Sequence, residues 1–235
     1  MKTPTTGFAI AIDGPVGVGK STTAKLVARL LNMTYIDTGA MYRAVALHTL
    51  RTGEPPEQSI SNLNIELHHE NGTQKIYLNN ENITDAIRTQ EISEFTSAQI
   101  ATNELVRKKL VTLQQQIAKN NSVVMDGRDI SSQVLPWAQL KIYLDAAPEI
   151  RARRRTNDLL SRGQPADFSQ VLQETLTRDH RDKNRPISPL IQTPDAIYID
   201  TADMTIQEVA EKIASYAIST TTKGAIPCST AQSEA

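Results

Sequence analysis

The stretch Phe8-Ala9-Ile10-Ala11-Ile12-Asp13-Gly14-Pro15-Val16-Gly17-Val18-Gly19-Lys20-Ser21 decides the fold. Its first five residues form a continuous apolar run, the pattern of a short strand covered on both faces, as in a parallel sheet. From Gly14 to Ser21 the chain fits G-x-x-x-x-G-K-[ST], a loop whose backbone N–H groups curl round a phosphate. Behind it Ala24, Leu26, Val27, Leu30 and Leu31 recur at helical spacing. Strand, loop and helix in this order bring a lysine and a helix N-terminus to one point, where an anion is favoured. Lys20 adds a charge between the β- and γ-phosphates, and the Ser21 hydroxyl is suited to Mg²⁺. A glycine turn carrying a lysine by chance would not need all four elements in place. The expected ligand is a nucleoside triphosphate.

Three more apolar runs have the same buried look: Val123-Val124-Met125 before Asp126, Leu140 to Leu144 before Asp145, and Ala196 to Ile199 before Asp200. Helical patterns fall at about 40–51, 148–161, 168–183 and 205–218. Strands alternating with helices predict an α/β fold with a parallel sheet, its ligands at the carboxyl ends of the strands. One segment differs. Ile65-Glu66-Leu67-His68 and Lys75-Ile76-Tyr77-Leu78 alternate apolar and polar residues around Asn71-Gly72, a hairpin signal. Helical patterns follow at about 90–101 and 103–119, so roughly 60–120 reads as a small insert folded onto the core. Residues 221–235 lack periodicity and are expected to be a disordered tail, with Cys228 in it.

Composition narrows the function. The chain has 235 residues, enough for one α/β domain carrying an insert. With 25 Lys and Arg against 26 Asp and Glu, it lacks the excess positive charge of a general nucleic-acid binder. No run approaches the roughly 18 apolar residues of a membrane span, and the N-terminus has no signal-peptide pattern. A single cysteine excludes an internal disulfide and a Cys-cluster metal site. The four histidines, His48, His68, His69 and His180, have no metal-site spacing. The expectation is a reduced, cytoplasmic, soluble protein without an apolar stripe, hence a monomer.

A phosphate loop alone names no reaction; the second substrate must, and the arginines speak to it. Residues 151–185 hold nine Lys and Arg against five acids, a local +4 that leaves −5 for the rest of the chain. Such a cluster in a neutral protein suggests a focused anion site, although a salt-bridged helix face is an equal reading for Arg153, Arg154 and Arg155 alone. Arg178 and Asp182 share a helix face, which also suits a simple stabilising pair. Two further groups sit at strand ends: Asp37-Thr38-Gly39-Ala40-Met41-Tyr42-Arg43 and Asp126-Gly127-Arg128-Asp129. Each sets an arginine beside a glycine, the arrangement for clasping a phosphate at close range. Asp37 or Thr38 acting only as a helix cap, and Asp126 only ending its strand, are the alternatives.

Together with Ile87-Arg88-Thr89-Gln90-Glu91 and Arg178-Asp179-His180-Arg181-Asp182-Lys183-Asn184-Arg185, these motifs resemble bacterial cytidylate kinases, in the family's order and from about Phe8 to Tyr216. The resemblance implies a nucleoside-monophosphate-kinase fold: a P-loop core of 1–59 and 120–220, a monophosphate-binding insert of 60–119, and a short lid around 153–165 carrying Arg153 and Arg154. It implies that Gly14, Pro15, Val16, Gly17, Val18, Gly19, Lys20, Ser21 and Thr22 bind ATP, with Mg²⁺ at Ser21. Thr38, Arg43, Arg128 and Arg185 would hold the acceptor phosphate beside Tyr42, Arg178 and Asp182 the ribose, and Arg107 and Asp129 the cytosine. Lys20, Arg128 and Arg185 would be catalytic. A carboxylate accepting from the exocyclic amine of cytosine makes chemical sense unaided. A serine near the base corresponds to Ser97 or, one residue on, to Ala98.

The implied reaction is transfer of the γ-phosphoryl group of ATP to CMP or dCMP. A kinase for UMP or another monophosphate is the near rival; a nucleotide-dependent switch, which leaves the arginines unexplained, is the distant one. Nucleic-acid binding through 151–185 is disfavoured, since Phe168 is the only aromatic residue there for stacking.

Overall fold

The computed structural model describes residues 7–70, 73–119, 121–161 and 163–223. The chain runs β1 (Ala9–Asp13), α1 (Lys20–Leu31), β2 (Thr34–Asp37), α2 (Thr38–Thr52), α3 (Pro56–Ser59), β3 (Ile65–Glu70), β4 (Thr73–Leu78), β5 (Glu81–Asn82), α4 (Gln90–Phe95), α5 (Glu104–Lys119), β6 (Val123–Asp126), β7 (Leu140–Asp145), α6 (Pro148–Ser161), α7 (Phe168–Asn184), β8 (Ile197–Asp200) and α8 (Ile206–Lys223). Five strands form a parallel sheet in the order β2-β6-β1-β7-β8, flanked by helices. The centre of the sheet is buried on both faces. On β1, Ile10 and Ile12 pack towards α1 and α8, while Ala9 and Ala11 pack with Ile36, Met125 and Val134 on the other side. This is why β1 lacks alternation in its sequence.

β8 departs from that pattern. It is an edge strand pairing only with β7, and only Ile199 is buried, while Tyr198 is 49 % exposed. Its apolar run therefore reflects one covered face and the stacking of Tyr198 on Tyr143, 6.3 Å between ring centres.

A second, antiparallel sheet, β3-β4-β5, starts from Ile65 opposite Leu78 and ends with Glu70 opposite Thr73. The proposed turn residues Asn71 and Gly72 lie outside the described residues. Ile65, Ile76, Ile83 and Leu110 share a core with Met41 and Val45 of α2, so α2 serves both sheets. Two bonds tie the hairpin to the edge of β2: the Asp37 N–H donates to Gln74 Oε1 at 2.9 Å, and His69 Nε2 meets the Tyr35 carbonyl at 2.8 Å.

The helix read over 90–101 is shorter than its pattern. α4 ends at Phe95 and a π-helical turn, Thr96–Ile100, follows, closed by the Ala101 N–H on the Thr96 carbonyl. The stretch 153–165 begins as the last turns of α6 and then leads to α7, which Asp167 caps through the Gln170 N–H. α8 continues through Lys223, into the stretch expected to be unstructured; the rest of that tail, with Cys228, lies outside the described residues. Among the described residues no helix is long and apolar enough to cross a membrane.

Candidate active site

The carboxyl ends of β1, β2 and β6 meet where the parallel order demands, around the loop from Gly14 to Gly19. Gly14 has φ +148°, and a Cβ there would lie 2.1 Å from the Leu144 carbonyl oxygen, so no other residue fits. Gly19, at φ +92°, turns the chain into α1. Lys20 is 6 % exposed and donates to the Pro15 carbonyl at 2.6 Å, across the loop. Burial, then the nearby Arg128 guanidinium, hold its ammonium well below the usual lysine range.

Beside the lysine, Asp126 closes β6. Its carboxylate accepts from the Ser21 hydroxyl and from the Tyr35 hydroxyl, each at 2.8 Å, and its carbonyl accepts from Thr38 Oγ1 at 2.7 Å. Burial, and after it the Asp37 carboxylate, push the Asp126 carboxyl up. A hydroxyl and a carboxylate side by side at a phosphate loop are hard oxygen donors of the kind Mg²⁺ takes, so the residues present fit that ion. In the sequence Asp126 stood in a strand-end group with strand termination as the alternative, and no metal role was assigned to it; an acid immediately after a buried run beside a phosphate loop is the signal that marks it.

A pocket of about 100 Å³ opens next to this loop. Thr38, Tyr42 and Arg43 line it from α2, and Arg107 from α5. Arg128 and Asp129 enter from the end of β6, and Arg178, Asp182 and Arg185 from α7 and its end. All nine residues expected at the acceptor are thus brought together from four elements. Several of them are paired with one another, whereas the buried Arg178 Nε has no hydrogen-bond partner among the described residues. Arg107 contacts Asp129 and lies over the Tyr42 ring, 5.4 Å from its centre. Arg185 reaches Asp129 at 3.5 Å, and Arg128 Nε donates to Asp182 at 2.8 Å. Burial alone would raise the Asp182 carboxyl, but Arg128 and Arg178 outweigh it and hold it below the usual range. Burial, then Arg128, push Arg178 down to about 10. At the pocket's rim Asp37 caps α2 through the Ala40 N–H and also holds Arg43 at 3.0 Å and Arg88 at 3.3 Å. Capping and pairing, posed as alternatives in the sequence, coexist in one carboxylate.

The structure places the two residues left open, Ser97 and Ala98, differently. Ser97 is buried in the pocket wall and accepts from Arg181 at 3.5 Å, whereas Ala98 is exposed and lines only the wider cleft outside.

That cleft, about 830 Å³, lies between α7 and the α4 region, with Val16 at its inner end. Arg153 and Arg154, the arginines expected on the lid, do not line it. Arg153 stacks on Phe168, 5.2 Å from the ring centre, and Arg154 donates to the Thr201 and Ala202 carbonyls after β8. The helical repeat of α6 turns Arg155 inward instead, beside Arg178 and Arg181. Arg151, one turn earlier, is buried and joins the Val16 carbonyl (2.9 Å) to Asp179 of α7 (2.5 Å).

The family model described as cytidylate kinase matches residues 10–219 of this chain. A cytidylate kinase of Fervidobacterium nodosum is 46 % identical over 205 residues, covering 87 % of this chain and 93 % of its own length. One from Oceanobacillus iheyensis is 42 % identical over 212 residues, covering 88 % and 92 %. A solved structure from Eubacterium ventriosum, titled an uncharacterized protein, shares the fold with a TM-score of 0.50 at 13 % identity, covering 91 % of this chain and 99 % of that one. Phosphate loop, arginine-lined pocket and a match that runs from β1 into α8 all lead to one statement: the chain belongs to the cytidylate kinase family.

Proposed function

We propose that this protein transfers the γ-phosphoryl group of ATP to the 5′-phosphate of CMP and dCMP, releasing ADP and the diphosphate. The observation that carries the reading is the pocket, in which five arginines from four elements converge beside the buried lysine of a phosphate loop. Residues 14–22 cradle ATP. Thr38, Arg43, Arg128 and Arg185 hold the acceptor phosphate, Arg178 and Asp182 the ribose, and Arg107 with Asp129 the cytosine, Tyr42 packing beneath the arginine. A carboxylate that accepts from the exocyclic amine finds no such donor on UMP.

No general base is needed, because a phosphate monoester with a second pKa near 6 is already largely ionised at neutral pH. Catalysis is positioning and charge neutralisation: Lys20 and Arg128 face the transferring group from opposite substrates, with Arg185 behind the acceptor. Mg²⁺ bound with ATP supplies further neutralisation of the β- and γ-phosphates, and Ser21 and Asp126 are the residues that would hold it. Residues 60–119 act as the acceptor-binding insert and 153–165 as the lid, where Arg155 takes the place first given to Arg153 and Arg154. The protein works as a cytoplasmic monomer without nucleic acid or membrane partner.

The test is ADP release from ATP and Mg²⁺ with CMP, dCMP, UMP, AMP and GMP offered separately. Fast turnover with CMP and dCMP, weak with UMP and absent with purines, is expected. Turnover with a purine would remove Arg107 and Asp129 as cytosine readers. Intact ATP binding with no turnover on any acceptor would replace the kinase by a nucleotide switch.

A further inference from the structure

Asp13 ends β1 one residue before the phosphate loop, and the chemistry above makes no use of it. It is fully buried, yet its carboxylate is saturated with donors that all come from one place. Oδ1 accepts from the Ile130 N–H at 2.8 Å, and Oδ2 from the Ser131 N–H at 2.7 Å and the Ser131 hydroxyl at 2.5 Å. These groups open the π-helical turn Ile130–Val134. Asp129 stands in the capping position of that turn, with φ −145° and ψ 27°, but makes no cap bond of its own. An aspartate so placed ordinarily folds back onto the N–H groups behind it. Here its carboxylate meets Arg107 and Arg185 in the pocket instead.

From this division of labour we propose that Asp13 is a positioning residue for acceptor recognition: by capping the 130–134 turn from a neighbouring strand, it leaves the Asp129 carboxylate free to read the nucleotide base. The same bonds tie Arg128-Asp129 to the strand that carries the phosphate loop, so the two substrate sites share one rigid joint. Three donors and no acceptor face Asp13, so a group that accepts on both atoms is required; asparagine would turn an NH₂ towards at least one of them.

The assignment rests on the kinase reading, and the experiment separates the two. Asp13→Asn is expected to lower the CMP:UMP ratio of kcat/KM about tenfold and raise the KM for CMP, with the KM for ATP within about twofold of the parent. Ser131→Ala, which removes one donor and leaves the backbone pair, is expected to lower the same ratio about threefold with the fold intact. In an Asp129→Ala background, Asp13→Asn should leave the ratio unchanged, because the residue through which it acts is gone. A ratio unmoved by both single variants, a KM for ATP rising in step with that for CMP, or independent losses in the double variant would each overturn the proposal. A parent protein that turns over no monophosphate would overturn the kinase reading and this assignment together.

Discussion

Lys20 carries its ammonium into a nearly closed site and donates it to a backbone carbonyl, while Arg128 is held against Asp182 a short way across the pocket. Neither side chain belongs to the packed core, so truncating either should leave the fold intact. Removing one charge that acts on the transition state costs about 3–4 kcal/mol, a hundredfold to a thousandfold in turnover. Lys20→Ala and Arg128→Ala are each expected to show that loss in the ADP-release assay with cooperative unfolding retained, at a lower temperature for Arg128→Ala, which strips the buried Asp182 of its partner; turnover within about tenfold of the parent would strip the residue of its role. Asp13 makes a prediction of the opposite kind, about stability. Burial raises its carboxyl from 3.8 to about 6, so the folded protein holds that proton more tightly than the unfolded chain does. The contribution is therefore complete below about pH 4 and lost as pH rises through about 6. The unfolding free energy of the parent minus that of Asp13→Asn should fall by as much as about 3 kcal/mol between about pH 4 and pH 7. Denaturant titrations at the two values check it, and a flat difference would contradict the burial described. Thr38, Arg43, Arg128 and Asp129 were legible as residues because short motifs following β2 and β6 carry them, whereas Arg107 on α5 was singled out only by the family resemblance. Asp13 and its partner Ser131 are 118 positions apart, and no local pattern announces such a pairing.

Most helices were legible in the sequence: the patterns over 148–161 and 168–183 correspond to α6 and to α7 less its last residue, and those over 40–51, 103–119 and 205–218 fall on α2, α5 and α8. What the pattern could not show was how an element ends against its neighbours. Thr96 turns its hydroxyl back onto the Ile92 carbonyl at 2.6 Å, and the widened turn after it interrupts the helix while leaving its apolar spacing almost unchanged. β8 reads as buried because its composition is apolar, yet whether a strand lies at an edge is set by topology, not by its own residues. The docking of the hairpin on β2 was equally hidden, since its polar ties come from two side chains, Gln74 and His69, that no local pattern marks. Gln74 is the partner of the buried Asp37 N–H, and Asp37 in turn holds Arg43. Gln74→Ala should cost about 1–3 kcal/mol by leaving that N–H unpaired. Amide exchange should quicken across 65–78 and at Asp37, and unchanged protection there would mean that the apolar face and the His69 contact hold the hairpin without Gln74.

Across the whole molecule, the cleft of about 830 Å³ separates the α4 region from α7, bridged at its rim by Gln90 donating to Glu174 at 3.3 Å. Water inside it would compete with CMP as acceptor, so the proposed reaction needs the walls to approach when both nucleotides are present. Solution scattering should give a smaller radius of gyration with CMP plus a non-hydrolysable ATP analogue than with either alone. Equal radii in all three states would mean that water is excluded without closure. The paired arginines of the acceptor pocket bear on selectivity at this same scale. Because Arg107, Arg128 and Arg185 already hold aspartates, an arriving monophosphate enters a swap of partners at these three arginines. A bare inorganic anion that breaks those pairs and offers nothing to Asp129 and Asp182 gains little for what it displaces. Inorganic phosphate and sulfate should therefore compete only weakly with a monophosphate that also engages Asp129 and Asp182, however abundant those anions are around the protein.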